Sequence, residues 1–112
     1  MKASVIARTL ALNRELERVM AILLESYAPQ LVYVYGSMAS GNISEWSDID
    51  LVIVKETDKR FLDRTAEVLE LLSPRIGMDI VVYTPGEWSV LLQKQHFVRE
   101  EIAQKGKLLY AA

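Results

Sequence analysis

The stretch Gly36-Ser37-Met38-Ala39-Ser40-Gly41-Asn42-Ile43-Ser44-Glu45-Trp46-Ser47-Asp48-Ile49-Asp50-Leu51 decides the fold, because it joins two apolar runs through a polar turn that ends in acid. Before it, Leu31-Val32-Tyr33-Val34-Tyr35 is β-branched and aromatic and reads as a buried strand stopped at Gly36. After it, Ile49 to Val54 reads as a second buried strand, yet it opens with Asp48 and Asp50. Alternate strand residues share a face, so the two carboxylates project together, with Cα atoms roughly 6.5 Å apart. Like charges that close repel unless a cation lies between them. A hard divalent ion such as Mg²⁺ meets that demand, since it takes oxygen ligands and keeps positions open for substrate phosphates.

Asp79 repeats the anomaly inside a third apolar run, Met78-Asp79-Ile80-Val81-Val82-Tyr83, opened by Gly77. An isolated buried carboxylate is costly and is normally neutralised or paired. With the third strand beside the second, Asp48, Asp50 and Asp79 are expected to converge on one metal-sized volume, the ligand supply of a two-metal phosphoryl-transfer centre. At the other end of the connection, Gly36-Ser37 leads from a strand into a turn or helix and presents free backbone N–H groups to an anion. The ligand implied is a nucleoside triphosphate with its metal ions. Blander readings stand beside this one. The two acids are also compatible with a solvated strand edge or a turn cap, Asp79 with an ion pair to Arg75, and Gly36-Ser37 with an ordinary strand-end turn. Trp46 fits either stacking on a nucleobase or covering the loop.

Working outward, Ser4 to Tyr27 has apolar residues at helical spacing, with Leu12, Leu16, Val19, Leu23 and Tyr27 as one stripe and Arg14, Glu15, Glu17, Arg18 and Glu25 largely off it. Pro29 ends that helix. Thr57 or Asp58 is expected to cap a second amphipathic helix whose apolar side is Phe61, Leu62, Val68, Leu69 and Leu72, closed by Ser73-Pro74. Thr84-Pro85-Gly86-Glu87 is a strong helix start, and the chain to about Lys105 reads as helical with one break before Gly106. Leu108-Leu109-Tyr110 suits a short last strand. Trp88, Tyr33 and Tyr35 are expected in the core or an interface, and His96 on an exposed helix surface. The order gives a single domain over residues 1–112, α/β (α+β) in class, with a small mixed sheet flanked by helices.

Composition narrows the function. The 112 residues are 51% hydrophobic and 25% charged, with no cysteine and one histidine, which excludes disulfides, thiolate chemistry and multi-histidine zinc centres. The net charge of −2 argues against stable autonomous DNA binding, which calls for a basic excess. No apolar run has the length of a membrane span and the first residues lack a signal-peptide core, so a cytoplasmic location is expected.

Tyr35-Gly36-Ser37, ten intervening residues, Asp48-Ile49-Asp50-Leu51-Val52, Asp79 on the third strand and the terminal Lys105-Gly106-Lys107-Leu108-Leu109-Tyr110 together resemble the DNA polymerase beta-type nucleotidyltransferase superfamily, and at this length its minimal nucleotidyltransferases. The resemblance implies a polymerase beta-like palm fold and Mg²⁺-dependent transfer of a nucleoside monophosphate, AMP from ATP or the equivalent from another NTP, to an acceptor hydroxyl with release of pyrophosphate. It implies Asp48, Asp50 and Asp79 as catalytic metal ligands, Asp79 also handling the acceptor hydroxyl, and Gly36, Ser37 and Ser47 as nucleotide-binding residues. It further implies a small helical partner of the HEPN type, with this chain as the antitoxin that modifies a tyrosine of a toxin, or, alternatively, as a weakly active or inactive module that neutralises its partner by binding. Many minimal members read Gly-Ser-Arg-x-Arg-Gly where this chain has Met38 and Ser40, so two phosphate-steadying cations are missing. The bare core also implies that a second chain or a homo-oligomeric interface completes the acceptor site.

Overall fold

The computed structural model describes residues 2–112. Helix α1 spans Ala3–Ser26, strand β1 Leu31–Tyr35, the short helix α2 Ser37–Ser40, β2 Ile49–Val54, α3 Phe61–Leu72, β3 Met78–Tyr83, α4 Pro85–Lys94, a π-helical segment Val98–Gln104, and β4 Lys107–Ala111. The four strands form one mixed sheet in the order β3-β2-β1-β4, with β1 antiparallel to both β2 and β4, and β2 parallel to β3. The apolar runs of β1, β2 and β3 lie at the positions read from sequence, with β3 and β4 at the edges of the sheet. Strand β2, buried on both faces apart from Asp50, carries the near-continuous Val/Ile/Leu pattern such a parallel strand requires.

Strand alternation divides the apolar residues between two layers. Val32, Val34, Ile49, Leu51, Ile53, Ile80 and Val82 face α1 and α3 and pack with Leu12, Val19, Leu23, Val68 and Leu72. On the opposite face Tyr33, Val52, Val54 and Tyr83 meet Trp88, Val98 and Ile102 from α4 and the π-helical segment. Trp88 is buried there, its ring 5.4 Å from Tyr33 and 6.0 Å from Tyr83. Asp50 and Asp79 belong to this second face but to its other end, where β1 finishes and β2 and β3 begin. The α4 cover therefore fills one end of the face and leaves the acidic end open.

Several local expectations are corrected. Helix α3 starts at Phe61 after Arg60, which has no side-chain cap, while the Thr57 hydroxyl accepts from Lys59 N–H instead. Leu62 is exposed rather than core. Arg64 is buried on α3 alongside Val68 and Leu72, and its guanidinium donates to the Lys59 carbonyl, the Val82 carbonyl and Glu87. With Thr65 Oγ1 donating to the Ile80 carbonyl, Arg64 satisfies outward carbonyls of the β3 edge that would otherwise template another strand. The capping box of α4 forms as its sequence requires, with Thr84 Oγ1 accepting from Glu87 N–H and Glu87 accepting from Thr84 N–H.

Glu15 is the other departure: it lies off the apolar stripe in sequence yet only 4% of it is exposed. Arg18 Nε donates to one of its oxygens at 2.7 Å, and Arg18 Nη2 and Arg75 N–H donate to the other at 3.0 and 2.5 Å. The Arg18 hydrogen bonds outweigh the effect of burial and, with the Arg75 N–H, hold the carboxyl at about 2 against an ordinary 4.5. That difference stabilises the fold by on the order of 3 kcal/mol wherever the carboxylate is ionised. A lowered native pKa means the contribution is complete above pH 4.5 and fades as pH falls toward 2. We expect Glu15→Gln to lose about 2–3 kcal/mol in urea unfolding at pH 7, and the difference from wild type to shrink steadily across that acid range.

Candidate active site

Gly36 closes β1 with φ 69° and ψ −144°, a conformation open to glycine and strained for any other residue. The chain then turns into α2, in which Ala39 and Ser40 N–H bond to the Gly36 carbonyl and Gly41 N–H to that of Ser37. The first N–H groups of this turn, those of Ser37 and Met38, have no acceptor within it. Gly36 has a second duty that its sequence context did not disclose. A Cβ built on it would lie 2.5 Å from Asp50 Oδ2, so the carboxylate occupies the space a side chain would need. Gly77 does the same for Asp48, whose Oδ1 would be 2.6 Å from an added Cβ.

The three acids are not equivalent. Asp50 and Asp79 are direct partners in the parallel β2–β3 register, and Tyr35 faces Asp50 across the antiparallel β1–β2 pair. One row across three strands thus reads Tyr35, Asp50, Asp79. Burial, then the Asp79 charge, the Asp48 charge and a hydrogen bond with the Asp79 carboxyl, push the Asp50 carboxyl above its ordinary 3.8. Burial first, then Asp50, Asp79 and Tyr83, push the Tyr35 hydroxyl above its ordinary 10.0. Asp48 lies just ahead of β2 and its Oδ1 accepts from Arg8 Nη2 at 3.2 Å, while Arg8 Nε donates to the Ser47 carbonyl at 2.8 Å. Among the described residues no three acidic or histidine side chains are gathered closely enough to enclose a metal ion. The charges of Asp79 and Asp48 both act on Asp50, and Asp48 is in addition paired to Arg8.

Ser47 closes the loop: its hydroxyl accepts from Ser44 N–H at 2.8 Å, in a turn that leaves Trp46 81% exposed. Arg75 gives its backbone N–H to Glu15 and makes no ion pair with Asp79 among the described residues. His96 is exposed at the break after α4. Two residues at the site escaped sequence reasoning. Arg8 is separated from Asp48 by forty positions and only tertiary packing brings them together. Tyr35 was legible in principle, since alternation and hairpin register place it opposite Asp50.

Because Asp50 carries a raised pKa, its ionisation opposes folding in the metal-free protein, and the penalty grows as pH rises above 3.8. Metal-free Asp50→Asn should therefore melt a few degrees higher than wild type at pH 7, and the gap should close below pH 4, as read by thermal denaturation in EDTA. Gly36→Ala should act in the opposite sense, costing about 2 kcal/mol or more through backbone strain and collision with Asp50.

No protein of curated function matches the sequence. Among solved structures, the chain is similar to a Sulfolobus solfataricus protein assigned as a nucleotidyltransferase, with a TM-score of 0.70 and 20% identity over 99% of this chain and 90% of that one. It is also similar to a mutant of the MntA–HpeT toxin–antitoxin complex, with a TM-score of 0.53 and 23% identity over 86% of this chain and 72% of that one. A toxin–antitoxin structure with AMP-PNP is matched at a TM-score of 0.50 and 20% identity, over 86% and 73% of the two chains. No helix among the described residues is long and apolar enough to cross a membrane. Residues 17–112 match the family described as Polymerase beta, Nucleotidyltransferase, and the chain belongs to that family.

Proposed function

We propose that this chain transfers AMP from ATP to a hydroxyl of a partner protein, a tyrosine of a small helical HEPN-type toxin, and thereby acts as its antitoxin in the cytoplasm. The observation that carries the reading is the in-register pair Asp50–Asp79 beside the open Gly36-Ser37 turn. The family membership supports nucleotidyl transfer, and the similarity to toxin–antitoxin structures, one of them with AMP-PNP, supports the partner and the nucleotide.

The donor set is all oxygen, which suits Mg²⁺, and the raised pKa of Asp50 reflects burial first and then the Asp79 and Asp48 charges, which a divalent cation would relieve. Asp50 and Asp79 would hold the ion, joined by Asp48 once its carboxylate leaves Arg8. When bound, Mg²⁺ supplies charge neutralisation at the attacking and leaving oxygens. The backbone N–H groups of Ser37 and Met38, with the Ser37 hydroxyl, bind the triphosphate where Gly36 lets it approach, and Ser47 borders the nucleotide. The acceptor oxygen forms a bond to the α-phosphorus, the bond from that phosphorus to the bridging oxygen of the β-phosphate breaks, and pyrophosphate leaves with the electron pair. The acceptor's proton passes to the Asp79 carboxylate. Positioning does most of the work in such a displacement.

A second reading, neutralisation by binding alone, is favoured by Met38 and Ser40 in place of cations and by the Arg8–Asp48 ion pair. Co-expression with the neighbouring genes followed by intact-mass measurement separates the two. The transferase reading expects a helical partner that gains one or more nucleoside monophosphates with ATP and Mg²⁺, and no gain with Asp48→Ala/Asp50→Ala. Co-purification without any mass gain leaves only the binding module.

A further inference from the structure

Three of the seven arginines in this acidic chain, Arg14, Arg18 and Arg75, line one groove, and a fourth, Arg8, lies further toward the start of the same helix as Arg14 and Arg18. Arg8, Arg14 and Arg18 lie on α1, and Arg75 lies in the connection between α3 and β3. Beyond Arg8, which holds Asp48, a groove of about 460 Å³ is lined by Ala11, Arg14, Glu15, Arg18, Arg75 and Ile76. It ends at Ile76, one residue from Gly77, against which the Asp48 carboxylate rests, so the groove reaches toward the Asp48 side of the site. The single acid in it is spoken for, since Glu15 is bound by Arg18 and by the Arg75 N–H. Among the described residues the guanidinium groups of Arg14 and Arg75 have no hydrogen-bond or ion-pair partner, although the Arg75 charge acts on Glu15, and both residues are exposed. Two free, planar donors flank a slot whose floor is apolar, a surface suited to paired carboxylates.

We propose that this groove seats an acidic segment of the acceptor protein and so fixes which hydroxyl enters the active site; the inference rests on the transferase reading above. A nucleic-acid strand is disfavoured as the occupant because no aromatic side chain lines the groove for base stacking and the chain's net charge is −2. The spacing follows from helix and strand rise. From Arg8 to the Arg14–Arg18 stretch is about 9–15 Å along α1. An extended peptide covers that in about three to five residues. The recognised carboxylates therefore lie three to five positions from the acceptor residue, and charge complementarity contributes mainly to selection among hydroxyls.

The test uses the full chain and the fluorescein-labelled peptide Glu-Glu-Glu-Ala-Ala-Tyr-Ala-Ala-Glu-Glu-Glu, its all-glutamine counterpart, and an oligothymidylate of equal charge, read by anisotropy at low salt. The glutamate peptide should bind at least tenfold more tightly than the glutamine peptide, and Arg14→Gln/Arg75→Gln should lose at least tenfold without a change in melting temperature. Arg14→Glu/Arg75→Glu should reverse the preference toward a lysine counterpart. Equal binding of the glutamate and glutamine peptides, or unchanged binding by the double variant, overturns the proposal. Tighter binding of the oligothymidylate that the double variant loses overturns it in favour of a nucleic-acid track. ATP–Mg²⁺ binding measured by calorimetry on the same samples keeps the two ideas apart: its absence with peptide discrimination intact removes the transferase reading alone, and its presence without discrimination removes the groove alone.

Discussion

The carboxylate of Asp50, held against Gly36 in the row Tyr35–Asp50–Asp79, is the constraint to which the surrounding structure is fitted. Its position demands a glycine at the end of β1, because any Cβ there would strike Oδ2, and the same glycine supplies the positive φ that turns the chain into α2. The parallel register of β2 and β3 then sets Asp79 directly beside it. Two acids side by side on a sheet destabilise it. The strands carrying them are instead held by what lies behind: Ile49, Leu51, Ile53, Ile80 and Val82 are all buried under α1 and α3. The site opposes folding and the opposite face of the same strands drives it.

Helix α1 is the element through which these two tendencies meet. Its apolar stripe builds the core, and three of its charged residues reach across to loops distant in sequence. Arg8 ties its first half to Ser47 and Asp48, and the Glu15–Arg18 pair ties its middle to the α3–β3 connection through Arg75 N–H and the Ser73 carbonyl. The two anchors differ in worth for a physical reason. Glu15 is buried and receives three hydrogen bonds, so its ionised form is strongly favoured. Arg8 and Asp48 are partly exposed, the latter by 54%, where solvent screens an ion pair to little net energy. A latch of that kind can open without threatening the fold.

Much of the architecture was legible because its signals are local. Continuous apolar runs gave β1, β2 and β3 their observed limits, Thr84 and Glu87 announced α4, and acids inside otherwise apolar strands marked the site by their chemistry alone. What stayed hidden depends on neighbours far along the chain. Glu15 and Arg64 look like solvated residues until Arg18 and Arg75 surround the first and the β3 edge carbonyls receive the second. Helix α3 begins later than Thr57 suggests because that hydroxyl caps the preceding turn instead. Arg8 carries no local mark at all. Nor does alternation place Asp48, since it predicts a shared face only while the chain remains a strand, and the strand starts at Ile49.

The division of the second sheet face explains how so short a chain keeps an open acidic site. Trp88, with Tyr33 and Tyr83 against it, fills the end where β2 and β3 finish, and Val98 and Ile102 complete the cover there. Large rings bury much area per residue, so α4 and the π-helical segment suffice for that end. The sheet end that begins with Asp50 and Asp79 then needs no helix over it, and a helix there would desolvate the pair still further. Cover at one end and exposure at the other are one solution: apolar bulk concentrated in Trp88 frees the acidic end for a charged ligand. In the family pattern cations follow the Gly-Ser turn, whereas here Met38 packs against the core from that position and the cation contacting the site, Arg8, arrives from α1. The positive charge nearest Asp48 is thus supplied by the helix that borders the groove and not by the turn after Gly36.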